Sequence, residues 1–426
     1  MIATLSSGVK DNSDRVARNV VEGGYTGRHV HAQICLTEPQ GKIKNIYDAI
    51  VIGAGGMGSA SAYHLAKSGA DVLVLEQFQR GHRFGSSHGA TRIIRFFYDK
   101  PFYTELMKTA YAEWRDLESV SGKPLLFITG SVCLGGRGNS YGQSVRRSLD
   151  AAGVKSEWWS ATQLTERFPQ FRVSNDMDIL WQEDTGFLHA AECVLTHLEL
   201  AERHGATVQE KTVVTDIDWR GEFPTVCTDD GQFHGRKVVV TAGAWTGKRL
   251  AELDLPLTVT KQQVCYYQPT DADRFKPDLF PVFAEMTADG EFLYGIPAFG
   301  SGVKIARHGR GELVSPDTCQ RTPDTDYIAH IDTYVQERMP ELGRSTDAEV
   351  CLYTETPDED FIIDRHPRCP DVLVAAGFSG HGFKFCSLVG RIMSELAMNG
   401  ETDFDIHPFR IDREPNPSSG VPRLQS

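Results

Sequence analysis

An α/β fold opening on a dinucleotide-binding unit is predicted by three observations. Residues 47–52, Tyr-Asp-Ala-Ile-Val-Ile, form a short apolar, β-branched run that reads as a buried strand. It runs into Gly53-Ala54-Gly55-Gly56-Met57-Gly58, and a helical stretch follows from Met57 to Ser68. A second apolar strand, Val72 to Leu75, ends on Glu76. Strand, glycine turn, helix, strand and acid all fall within about 30 residues, which is the Rossmann-like arrangement. Each part has a physical reason. Gly53 permits the tight turn, Gly55 lets the backbone approach a pyrophosphate, and Gly58 allows the helix to pack on the strand. The helix N-terminus offers free N–H groups to phosphates. Glu76 can accept both hydroxyls of an adenosine ribose and would repel a 2′-phosphate, which disfavours NADP. The pattern alone leaves FAD and NAD open, and with NAD the reading of an NAD-dependent dehydrogenase.

The bulk composition bounds the rest. At 426 residues the chain is long enough for two domains with sizeable cores. A net charge of −13 and the lack of a long basic run argue against nucleic-acid binding. An anionic substrate stays open, because a pocket can be locally positive inside an acidic protein. Nine cysteines are scattered singly with no C-x-x-C pair, which suits free thiols better than a disulfide framework. No apolar run is long enough to span a bilayer, so no membrane partner is expected. Residues 1–46 are polar and Gly-containing and read as a disordered extension. Residues 414–426 read as a loose tail. The final Arg-Leu-Gln-Ser is not a peroxisomal address, and the cytoplasm is the expected location.

Two later stretches extend the dinucleotide reading. Residues 237–245, Lys-Val-Val-Val-Thr-Ala-Gly-Ala-Trp, read as a strand entering a small-residue turn at Gly243, suited to a backbone passing close to a cofactor. Residues 372–382 repeat the pattern and end on Gly380-His381-Gly382. A helical stripe from Phe383 to Met398 follows, and its N-terminus would favour a cofactor that becomes anionic on reduction.

Candidate chemistry lies in four segments. Arg92 and Arg95 are three apart, which on a helical turn places them on one face. Beside a cofactor such a pair can bind a carboxylate or stabilise charge; a solvated surface pair is the commoner fate of arginines. Val303 to His308 reads as a strand with Lys304 and His308 on one side. Periodicity alone favours a water-facing lysine there. Cys351 and Tyr353 share one strand face, and a lone cysteine in a strand is usually a small buried hydrophobe. Lys384, in the first turn of the last helix, opposes that helix's dipole and calls for an anion. His381 is either part of the cofactor cradle or a locally bonded turn residue.

Taken together, these segments resemble the monomeric sarcosine oxidase family, which includes N-methyltryptophan oxidase and L-pipecolate oxidase. The motifs are Gly-Ser-Ser-His-Gly-x-Thr-Arg-Ile-Ile-Arg (85–95), Tyr-Gly-Ile-Pro (294–297), Val-Lys-Ile (303–305), Cys-Leu-Tyr-Thr-x-Thr-Pro-Asp-Glu-Asp-Phe-Ile-Ile-Asp-Arg-His-Pro (351–367) and Phe-Ser-Gly-His-Gly-Phe-Lys-Phe (378–385). They occur in the family's order and cover nearly all of 47–413. The resemblance implies an FAD-binding domain of glutathione-reductase type and a substrate domain on a mixed or antiparallel sheet. The expected boundaries are 47–130, 190–255 and 345–413 for the first, and 131–189 and 256–344 for the second.

The resemblance also implies site roles. Cys351 matches a cysteine joined to the flavin 8α carbon through a thioether. Arg95 and Lys384 match the pair that holds the substrate carboxylate, with Tyr294, Tyr353 and His308 in the substrate pocket. Lys304 matches the lysine at the oxygen-activating face, and Arg92 the basic residue near the flavin ring on the tether side. Lys304, Arg92, His308 and Tyr294 form the expected catalytic set. Gly53, Gly55, Gly58, Glu76, His88, Thr91, Arg92, Gly243, Gly380, His381, Gly382 and Lys384 are expected around the cofactor. The implied reaction is hydride transfer from a secondary amino acid to flavin N5, giving an imine, with O2 reoxidising the flavin to yield hydrogen peroxide. The implied partners are a small amino acid and O2, on a monomer. Sarcosine or a similar N-methyl amino acid is the expected substrate, with L-pipecolate as the alternative. The gap between Tyr294 and Lys304 is one residue shorter than the sarcosine oxidase pattern.

Overall fold

The computed structural model describes residues 46–309 and 311–414. Apart from Ile46 and Glu414, the expected N-terminal extension and C-terminal tail lie outside these residues. No helix among the described residues is long and apolar enough to cross a membrane.

The first sheet is built on five parallel strands in the order Thr207–Gln209, Val72–Leu75, Tyr47–Ile52, Gly231–Val240, Cys369–Ala376. Apart from Val208 in the edge strand, their valines, isoleucines and leucines are buried on both faces, which is why the runs are continuous rather than alternating. Gly231–Val240 is longer than its neighbours. Its first half pairs antiparallel with Thr225–Thr228, which pairs in turn with Val214–Asp218. Ile362–His366 adds an antiparallel edge beside Cys369–Ala376.

The glycine-turn helix, expected from Met57, runs Gly56–Lys67 and packs against helices Ala190–Arg203 and Cys386–Asn399. Small residues make that close packing possible. A Cβ on Gly58 would fall 1.8 Å from the Gly53 carbonyl oxygen and 2.6 Å from Thr241 Oγ1. A Cβ on Gly390 would fall 2.5 Å from the backbone of Ala60 on the facing helix. The last helix, expected to start at Phe383, is preceded by a 3-10 turn, Phe383–Phe385, so Lys384 stands before it rather than in its first turn.

The second sheet has nine strands. Eight follow the order Glu312–Leu313, Thr258–Tyr267, Val303–His308, Phe292–Ile296, Val282–Met286, Ser131–Gly136, Met177–Gln182, Glu157–Trp159. All neighbours are antiparallel except Val282–Met286 on Ser131–Gly136, so the sheet is mixed, as expected. The ninth strand, Asp347–Glu355, pairs with Thr258–Tyr267 from Thr258↔Glu355 to Tyr266↔Asp347. The expected boundary at 345 put this strand with the first sheet; its hydrogen bonds put it in the second.

A third, three-stranded sheet joins Thr91–Ile94, Gly186–His189 and Leu126–Ile128. Thr91–Ile94 is thus a strand, and the helical turn expected for Arg92 and Arg95 is not formed. Isoleucines 93 and 94 and the pairing with Gly186–His189 favour extended backbone.

Gly390→Val should lower the melting temperature, at a cost of about 1–3 kcal/mol for overpacking. Gly136→Ala, whose Cβ would meet nothing within 4 Å, should melt within a degree or so of wild type in the same thermal scan.

Candidate active site

Strand alternation assembles the site. In the second sheet, Ile296 faces Lys304, Phe292 faces His308, and Lys304 also pairs with Tyr266. Val264 pairs with Glu349, Gln262 with Cys351, and Thr260 with Tyr353. Tyr294, Lys304, His308, Glu349, Cys351 and Tyr353 therefore project to one side, where they line a cavity of about 540 Å³. The intervening Cys265, Tyr267, Leu293, Val303 and Ile305 turn to the opposite side and pack with Ile331 and Val335 of helix Thr325–Arg338. Loops from the first sheet close the cavity: Gly53 to Met57, Thr241 to Trp245 and Ala375 to Lys384, together with Gly85 to Thr91. Every expected site residue lines this cavity except Gly58, which acts beneath it as a packing contact.

The dinucleotide end is ordered by Glu76, which is 4% exposed. One carboxylate oxygen accepts the Ala54 N–H at 2.8 Å and the other the Phe78 N–H at 2.9 Å. Each oxygen carries a further lone pair that could accept a ribose hydroxyl. The N-cap residue Gly55 makes no side-chain cap, so beyond the Gly56 N–H the end of this helix is available to phosphate. Ser87, which has no role of its own in the 85–95 motif as read from sequence, accepts the Gly56 N–H at 3.0 Å.

The other end holds four cations, and none forms an ion pair with a carboxylate of the described residues. They fall into two pairs. The guanidinium of Arg92 donates to the carbonyls of Thr91, Ser86 and His88 at 2.7–2.8 Å and lies over Phe383. Lys304 is 4% exposed and donates to the same Thr91 carbonyl at 3.2 Å. Burial, then the charge of Arg92, pushes Lys304 down to about 7. Cys351 stands beside this pair; burial pushes its thiol up, against the opposing pull of Arg92 and Lys304. His88, bonded to the Gly85 carbonyl, is pushed down to about 3 by burial and then Arg92, and is neutral.

The second pair is Arg95 and Lys384. Arg95 donates to the Phe97 carbonyl and the Tyr141 hydroxyl, and its guanidinium sits 4.5 and 4.6 Å from the ring centres of Phe97 and Tyr98. Lys384 is 4% exposed and donates to the His381 carbonyl at 2.7 Å and the Tyr98 hydroxyl at 3.0 Å. Burial, then Arg95, holds it well below the usual lysine range. His308 Nδ1 lies 3.4 Å from the Tyr353 hydroxyl, and burial, then Arg95 and Lys384, pushes it down to about 3. Burial pushes Tyr294 up to about 12 and holds Tyr353 well above the usual phenol range. His381 is bonded through both ring nitrogens, to Tyr98 and to the Glu359 carbonyl. Tyr98 and Tyr141 had no sequence signal; only the packing brings them to Arg95.

The family of FAD dependent oxidoreductases matches residues 48–396. The chain belongs to that family. FAD is therefore its dinucleotide, which closes the choice left open by the glycine turn and sets aside the NAD-dependent dehydrogenase. The chain is 37% identical to the monomeric sarcosine oxidase of Bacillus sp. (strain NS-129), over 86% of this chain and 97% of that one. It is 32% identical to the N-methyl-L-tryptophan oxidase of Salmonella arizonae, over 86% and 99%. NikD, an unusual amino acid oxidase essential for nikkomycin biosynthesis, shares the fold with a TM-score of 0.78 at 24% identity, over 86% of this chain and 98% of that one.

The position of Lys304 sets a pH dependence. Its pKa falls from 10.5 unfolded to about 7 folded. Between those values the unfolded chain holds a proton that the folded chain lacks, so the stability of the flavin-free chain falls as pH drops from 10.5 to 7. Lys304→Met should raise the melting temperature more at pH 7 than at pH 10. An equal effect at both pH values would show that Lys304 titrates normally.

Proposed function

We propose that the chain is an oxidase of small secondary amino acids, with sarcosine the first candidate and O2 the acceptor. The observation that carries this reading is the second cation pair. Arg95 and Lys384 are held at the cavity wall without a carboxylate partner among the described residues, a costly arrangement unless a ligand supplies the anion. A substrate carboxylate supplies it, and Arg95 can take it in bidentate fashion. The named activities of the curated relatives favour N-methyl amino acids over L-pipecolate.

When bound, FAD supplies the two-electron acceptor for the carbon–nitrogen bond and the centre at which O2 is reduced to hydrogen peroxide. The chain's own residues set the conditions. Arg95 and Lys384 fix the carboxylate, and their positive charge favours a neutral substrate amine, so no strong base is needed to remove its proton. Neutral His308, with Tyr353 and Tyr294, shapes the wall without adding charge. Lys304 and Arg92 favour negative charge on the side of Cys351 and serve the reaction with O2. In the same reading Cys351 tethers FAD through a thioether to the flavin 8α carbon, and the protein works as a monomer.

Anaerobic mixing with sarcosine, N-methyl-L-tryptophan and L-pipecolate tests the substrate. Flavin absorbance should bleach fastest with sarcosine; faster bleaching by L-pipecolate would move the enzyme to cyclic substrates. The tether is tested by acid precipitation. Wild type should keep its yellow colour in the pellet, and Cys351→Ser should release it to the supernatant. A colourless wild-type pellet would remove Cys351 from this role.

A further inference from the structure

We infer that Tyr98 is a positioning residue that builds the carboxylate-binding pair into one unit, through a hydrogen-bond chain whose direction is fixed by a backbone carbonyl. This rests on the reading of Arg95 and Lys384 as the carboxylate clamp.

The chain can be followed from its far end. His381 Nε2 lies 2.9 Å from the carbonyl oxygen of Glu359, which can only accept. Nε2 therefore carries the hydrogen. Burial, then Lys384, holds the ring far below its usual pKa, so the imidazole is neutral and Nδ1 is an acceptor. The Tyr98 hydroxyl lies 3.2 Å from Nδ1, and so donates to it. With its own hydrogen committed, the Tyr98 oxygen presents only lone pairs, and Lys384 Nζ donates to them at 3.0 Å. The remaining Nζ bond goes to the His381 carbonyl at 2.7 Å. Two of the three ammonium hydrogens are thereby directed and the third is left for a ligand.

The ring of Tyr98 serves the other cation. The Arg95 guanidinium lies 4.6 Å from its centre, a cation–π distance. The ring is itself fixed: it is 6% exposed and stacks on Tyr103 at 5.0 Å. The Tyr103 hydroxyl donates to Asp360 at 2.9 Å, and Lys100 is ion-paired to that carboxylate. One side chain thus orients Lys384 through its oxygen and supports Arg95 through its face.

The test uses flavin-loaded enzyme and two ligands of nearly one shape, methoxyacetate and its uncharged amide, methoxyacetamide, titrated by the change in flavin absorbance. Tyr98→Phe keeps the ring and removes the oxygen. It should raise the methoxyacetate Kd by roughly tenfold or more, the effect of misdirecting one charged hydrogen bond, and leave the methoxyacetamide Kd within about twofold. His381→Leu should give the same selective loss from the chain's other end, and decides the matter if Tyr98→Phe does not retain flavin. Equal loss for both ligands, or none for methoxyacetate, overturns the inference. Lys384→Met separates the two levels. If it weakens methoxyacetate while Tyr98→Phe does not, only the positioning role fails; if it does not, the clamp reading itself fails.

Discussion

Burial of positive charge with no ion-paired carboxylate among the described residues is the constraint on which the site depends. Arg92, Arg95, Lys304 and Lys384 all reach the cavity, and carbonyl oxygens, hydroxyls and aromatic faces hold them in place. Such groups orient a cation without neutralising it. The cost of the uncancelled charge is relieved when a lysine gives up its proton, the direction in which burial pushes Lys304 and Lys384, or when an anion arrives. This explains a positive site inside a chain of net charge −13.

The four cations divide because they hang from different elements. Lys304 comes from the second sheet, and Arg92 from strand Thr91–Ile94 of the three-stranded sheet; both converge on the Thr91 carbonyl beside Cys351. Lys384 comes from the 3-10 turn after the last parallel strand, and Arg95 follows strand Thr91–Ile94. Being three apart on extended backbone, Arg92 and Arg95 leave in different directions and serve different partners. A helical turn would have merged them on one face. The observed strand gives one pair beside Cys351 and another beside Tyr98.

Much of the site was legible because its motifs are local. The glycine turn, Glu76 and the strand Val303–His308 stand where the pattern of residues placed them. The misread elements depend on distant partners. Asp347–Glu355 belongs to the second sheet because Thr258–Tyr267 offers it a long free edge, which is invisible in its own sequence. Tyr98 and Tyr141 carry no motif, and their meaning comes from the rings and cations brought against them.

The sequence by itself determined the dinucleotide unit, the spacing of Lys304 and His308 on one strand face, and the shared face of Cys351 and Tyr353. Those features follow from periods of 2 and 3.6 residues and from backbone that only glycine tolerates. Tertiary structure alone decided which cations pair, which histidines stay neutral, and which hydroxyl directs Lys384. Such outcomes depend on burial and on charges tens to hundreds of residues apart in the chain, and no local pattern encodes the distance between them.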